Sequence, residues 1–152
     1  MKIRAGFVSN SSSSSYVIRI PKGRVLSLEE YKNWFGIEEK DTMRCNKILM
    51  GFMIALYAYY EKIGDNSYSS DYEDILEDAK EVLEYYSQYN DDPVASRMLY
   101  ELKHPEEFPE SEIIAFEAND NEGNLFNYDI TETLSHADVE FKGDNVYAIN
   151  EH

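Results

Sequence analysis

Ile48-Leu49-Met50-Gly51-Phe52-Met53-Ile54-Ala55-Leu56-Tyr57-Ala58-Tyr59-Tyr60 is a run of 13 residues with no charged side chain. Its alanines, leucines and methionines favour helix, and the reading extends from Asp41 to Ile63, with Gly64 as the stop. A helix that is apolar on every side has no stable exposed state in water. Residues 45–60 are therefore expected to be the most buried helix of the molecule, packed against a sheet. A membrane-spanning helix needs about 20 such residues, and Glu61-Lys62 closes this run too early.

Toward the N-terminus, Ile3 to Val8 and Tyr16 to Ile20 are rich in β-branched and aromatic residues and read as strands joined by a polar loop. Pro21 and Gly23 end the second strand. Ser27-Leu28-Glu29-Glu30 has the spacing of a capping box, opening a short helix that ends near Phe35-Gly36. Toward the C-terminus, Ser70 and Glu73 make a second capping box. Tyr72, Ile75, Leu76, Ala79, Val82, Leu83, Tyr86 and Tyr89 then recur at helical spacing as far as Asn90. Asp92-Pro93 opens a fourth helix that carries Val94, Met98 and Leu102 inward and stops at His104-Pro105.

After the acidic connector 105–110 the pattern becomes strand-like. Ile113 to Glu117 and Leu125 to Tyr128 read as one hairpin, and Val139 to Lys142 and Val146 to Ile149 as another. Between them Asp129-Ile130-Thr131-Glu132 can cap one helical turn reaching His136. The expectation is an α+β chain, with about four helices packed on one face of a small, mainly antiparallel sheet built from N-terminal and C-terminal strands. Residues 1–152 are read as a single domain, with 9–15 as a serine-rich surface loop.

The formal charge is −16, and it is unevenly spread. Residues 1–60 carry a net +4, whereas residues 61–122, with four basic and nineteen acidic residues, carry −15. Nucleic-acid binders draw most of their affinity from Lys and Arg on phosphates, so direct nucleic-acid binding is not expected, and anionic membrane surfaces are disfavoured likewise. Cys45 is the single cysteine, which rules out an internal disulfide and a cysteine zinc cluster and fits a reducing cytoplasm. Ser9 to Ser15 occupy the place where a signal peptide would need its apolar stretch, so secretion is not expected.

Chemistry-bearing motifs are sparse. His104, His136 and His152 are scattered in sequence and nominate no nucleophile and base pair with Cys45. Aligning Gly123 with the invariant glycine of a calcium loop puts Ala118 at the first ligand position, so that pattern fails. No phosphate-cradling glycine motif occurs. No catalytic residue, metal site or cofactor is therefore assigned.

Gly6-Phe7-Val8-Ser9-Asn10-Ser11-Ser12-Ser13-Ser14-Ser15-Tyr16-Val17-Ile18 is the most unusual stretch. It resembles an N-terminal signature found on uncharacterised proteins of bacteriophages and bacteria, in which phenylalanine is more usual at the place of Tyr16. The resemblance covers about residues 3–18, implies a phage or mobile-element setting, and carries over no activity. Ser11, Ser12, Ser13, Ser14 and Ser15 offer hydroxyls that could hold an anion beside Lys2, Arg4, Arg19, Lys22 and Arg24, or accept a modification.

The functional expectation is a small acidic, non-enzymatic protein-binding module, of the kind that inhibits a basic or nucleic-acid-binding host protein. Its candidate contact residues are Asp74, Glu77, Asp78, Glu81 and Glu84, on the outer face of the helix ending at Asn90. The alternatives are a small enzyme or ligand-binding protein with a tyrosine-lined pocket, and a structural or assembly protein.

Overall fold

The computed structural model describes residues 13–61, 65–118, 128–135 and 139–151. Strand β1, Ser13–Pro21, is the centre of a three-stranded antiparallel sheet, flanked by β3, Ser111–Ala118, on one side and β5, Val146–Glu151, on the other. Tyr16 stands opposite Phe116 and Ala148, and Val17 opposite Ala115 and Tyr147. The class is α+β: five α-helices with this sheet and a second, two-stranded pair among the described residues. The strand read at Ile3 to Val8 lies outside them.

Helices cover both faces of the sheet, where a single covered face was expected. Tyr16, Ile18 and Ile20 of β1 with Ile114, Phe116 and Ala118 of β3 form one core, and Val17 with Ile113, Ala115 and Ile149 form another. The cause is legible in β1, because Tyr-Val-Ile-Arg-Ile is a continuous run without the apolar/polar alternation of a strand that has one wet side.

On the first face lie α1, Leu28–Phe35, α2, Thr42–Glu61, and α5, Tyr128–Ser135. The capping box of α1 is formed as read: Ser27 Oγ accepts from Glu30 N–H at 3.1 Å and the Glu30 carboxylate accepts from Ser27 N–H at 2.9 Å. The bond from Ser27 N–H, and after it the Ser27 hydroxyl, lowers the Glu30 carboxyl below its usual range. Gly36 then reverses the chain at φ 61°, and a Cβ there would sit 2.1 Å from the Lys142 carbonyl oxygen. That close approach lets β2, Ile37–Glu38, pair with β4, Glu140–Phe141.

Of the two expected C-terminal hairpins the second is not formed, and of the first one's return strand residues 125–127 lie outside the described residues. Strand β4 pairs with β2 and β5 pairs with β1, because Lys142–Asn145 carries the chain from one sheet to the other. Strand β3 pairs with β1, and Tyr128, expected to end its hairpin partner, opens α5 instead. Helix α5 runs two turns where one was expected, since Ile130 and Leu134, four apart, both bury against α2. Gly51 marks this contact: a Cβ there would meet Leu134 Cδ1 at 2.5 Å.

The second face is covered by α3, Asp65–Asn90, and α4, Pro93–Lys103. Helix α3 begins five residues before Ser70, so Ser70 and Glu73 lie inside it and do not cap it. Helix α4 starts as read, with the Asp92 carboxylate accepting from Val94 and Ala95 N–H at 3.0 and 3.2 Å. Among the described residues, no helix is long and apolar enough to cross a membrane.

Candidate functional site

Helix α3 sorts its residues by angle. Ala79, Val82 and Leu83 are buried against the sheet, and Glu77 and Glu84 are exposed on the opposite side with Glu81 half-buried beside them. Positions 77, 81 and 84 follow the i, i+4, i+7 rule, so the three carboxylates share one face. Lys80 approaches Glu77 at 3.5 Å, an exposed contact of little energetic weight.

Asp78 does not belong to this row. It is only 3% exposed. Four residues before Val82, it falls within about 40° of the buried stripe, so the residue expected on the acidic face is turned inward. Asp74 lies in α3, but its side chain is outside the described set. The acidic row of described side chains is thus Glu77, Glu81 and Glu84.

The serine run also divides. Ser13, Ser14 and Ser15 are not loop: they begin β1, and Ser14 and Ser15 are fully buried. Ser14 pairs with Ala118 and Asn150 across the sheet, and Ser15 with Glu117 and Ile149. Small side chains let both neighbouring strands and both helical layers close over this end of the central strand. Ser14 also bonds the Tyr16 hydroxyl. These two hydroxyls therefore serve the core and are not presented to an anion in solution. Ser11 and Ser12 lie outside the described residues.

Two polar groupings were not anticipated. Arg19, on the α3/α4 face of β1, is held by Glu101 of α4, with its Nε 3.1 and 3.0 Å from the two carboxylate oxygens and Nη2 at 2.7 Å. Its Nη1 donates to the Asp144 carbonyl and, at 2.8 Å, to Asn145 Oδ1. Both partners are buried. The signal was present in the sequence: Arg19 interrupts an apolar strand, and Glu101 stands three residues after Met98 on the inward side of its helix. The second grouping is Glu112 of β3, whose two oxygens accept from Tyr59 and Tyr60 hydroxyls at 2.8 and 2.9 Å. Burial and the Glu112 carboxylate push Tyr59 up to about 12 and raise Tyr60 as well.

Other tyrosine hydroxyls are also committed within the fold. Tyr16 donates to the Leu134 carbonyl at 2.6 Å, and its burial raises its pKa. Tyr100 donates to both Glu107 oxygens at 2.8 and 2.9 Å. Tyr147 is raised by burial and by Asp92.

Cys45 is buried in the first core. His104, Glu106 and Glu107 bring three potential metal-ligand atoms within 4.8 Å of one another on an exposed turn, with Glu107 already engaged by Tyr100. His104 Nδ1 lies 3.8 and 3.9 Å from the two carboxylates, beyond hydrogen-bond distance. Compared with protein-family models, curated proteins and solved structures, the chain has no significant match.

Proposed function

We propose that the chain is a small acidic, non-enzymatic protein-binding module that docks a basic partner protein on the outer face of α3. The observation that supports this is the row Glu77, Glu81 and Glu84, projecting from a helix whose inner residues Ala79, Val82 and Leu83 are locked in the second core. Fixed backbone attachment keeps the three charges in register without ordering the helix on binding, which lowers the entropic cost of recognition. The row lies in the 61–122 stretch with its net −15, so a basic partner is steered toward this side from a distance. A groove that ordinarily holds phosphates is the partner surface whose chemistry fits best, and occupying it would inhibit that partner.

The test uses the full chain and a triple variant, Glu77→Gln with Glu81→Gln and Glu84→Gln. Each is used to capture partners from a bacterial lysate, and association is then timed against the basic protein recovered. At low salt the variant should associate about tenfold more slowly, and the difference should vanish at high salt, since exposed charges are screened over about 8 Å at physiological ionic strength. Equal rates for parent and variant at low salt would reject this face as the docking surface.

A further inference from the structure

Met43, Met50 and Tyr57 stand seven residues apart on α2, and Tyr60 follows three later. Seven residues make nearly two turns, so these side chains form a single stripe along the helix. They are 70%, 53%, 59% and 50% exposed. Met53 and Ile54, between them, are half-buried against the first core. Among the described residues α2 meets the sheet and α5 through its opposite side, with Ile48, Phe52, Ala55 and Leu56, and the stripe is tied to the fold at the Tyr60 hydroxyl, which donates to Glu112. Single exposed apolar residues are ordinary, but a continuous stripe of this length marks a contact surface.

We propose that the stripe is a self-association face, on which α2 of a second copy of this chain packs antiparallel about a two-fold axis at the level of Ile54. Charge placement selects both the occupant and the direction. Residues 48–60 carry no charge of their own, so the middle of the stripe is matched by another apolar helix face. The uncharged run is bounded by Lys47 and Glu61. Antiparallel pairing brings each Lys47 to the other copy's Glu61, twice by symmetry, whereas parallel pairing sets like charge against like.

The seven-residue spacing is what a helix needs to meet another helix along its length. In this register Met50 of one copy reaches the level of Tyr57 and Tyr60 of the other, placing thioethers against aromatic rings. Methionine and tyrosine are residues enriched in protein interfaces. With side chains of roughly 200 Å² each, Met50, Tyr57 and Tyr60 bury roughly 300 Å² per copy in this register, about 600 Å² in all, the size of a weak, transient contact. A reversible dimer is therefore the expected form, independent of the acidic face of α3 on the other side of the sheet.

Sedimentation of the full chain over a dilution series tests this. The mass should move from one chain to two as concentration rises. Met50→Lys and Tyr57→Lys, singly and together, should hold the chain at one copy while its circular dichroism and melting stay those of the parent, since both sites are exposed. Lys47→Glu alone and Glu61→Lys alone should each weaken association about tenfold, and the combined exchange should restore it. A one-chain mass at every concentration overturns the proposal, as does a dimer indifferent to both lysine substitutions. A dimer that the combined charge exchange fails to restore overturns the antiparallel arrangement.

Discussion

On one face of the sheet Tyr16, Phe35, Phe52, Phe116 and Phe141 meet ring against ring, with Tyr16 stacked on Phe116 at 5.2 Å and Phe52 edge-on to Phe35 at 5.0 Å. On the other face Val17, Ala79, Ala95 and Ala115 are small, and an Arg19–Glu101 ion pair is closed in beside them. The outer surfaces differ in the reverse sense. Helix α2, over the aromatic core, shows apolar side chains to solvent, whereas α3, over the aliphatic core, shows carboxylates. The inward half of each helix follows from what the sheet needs, and only the outward half is left to carry function. The variants below separate the two halves, beginning with the largest effect.

Leu56→Asp should abolish folding. Leu56 is buried in the aromatic core, and an unpaired carboxylate placed there costs on the order of 5 kcal/mol or more once the lost packing is included. Ile54→Asp, at a half-buried position, should cost less, and Met50→Asp on the same helix should melt near the parent. Thermal melts of the three decide it. If Met50→Asp were as damaging as Leu56→Asp, the outward half of α2 would be part of the core.

The second face is tested through its ion pair. Arg19→Met alone leaves Glu101 buried without its guanidinium, and Glu101→Leu alone leaves Arg19 without its carboxylate. Each should cost about 3–5 kcal/mol in urea denaturation. The double variant Arg19→Met with Glu101→Leu should recover most of that loss, because two apolar side chains of similar volume need no partner. Additive losses in the double variant would show that Arg19 is held mainly by Asn145 and the Asp144 carbonyl.

Much of this division can be read before any coordinates. Helical spacing in 76–89, the Ser27–Glu30 box, Asp92-Pro93 and the all-apolar run of α2 are local signals, and each of those elements stands where its signal lies. Strand pairing was less legible, because partners are chosen by packing between residues distant in sequence. Turn residues at 143–145 suggest a hairpin equally well whether or not the flanking strands pair with each other. The site was partly legible: the i, i+4, i+7 row is visible, but Asp78 differs from Glu77 by only one step of 100° and takes the opposite environment. Ser14 and Ser15 read as loop by composition, and only a sheet paired on both sides of β1 makes them core.

A smaller effect is expected at the aromatic face's edge. Tyr59→Phe removes one of the two hydroxyls on Glu112 and should cost about 1 kcal/mol near neutral pH. The folded state raises Tyr59 from 10.0 to about 12. Its contribution is therefore full below pH 10, where the phenol is protonated in both states, and is lost as pH rises toward 12, where the unfolded chain ionises first. Stability of the parent should decline over that window, and the decline should be shallower in Tyr59→Phe. An identical alkaline decline in both would mean that Tyr59 does not contribute to it.

The smallest expected effect on stability is on the outer face of α3, and its smallness is the point of the comparison. Glu77 and Glu81, four apart, repel by a few tenths of a kcal/mol, while Glu77 gains about as much from Lys80. Changing Glu77, Glu81 and Glu84 together to glutamine removes both terms, so the melting free energy should stay within ~0.5 kcal/mol of the parent. The remaining difference should shrink further in high salt, where exposed charges are screened. Stability and partner binding would then respond separately to the same three substitutions, as a surface reserved for recognition requires. A loss of several kcal/mol would instead tie the row to the fold, most directly through half-buried Glu81, and would make α3 a helix whose outward half is structural after all.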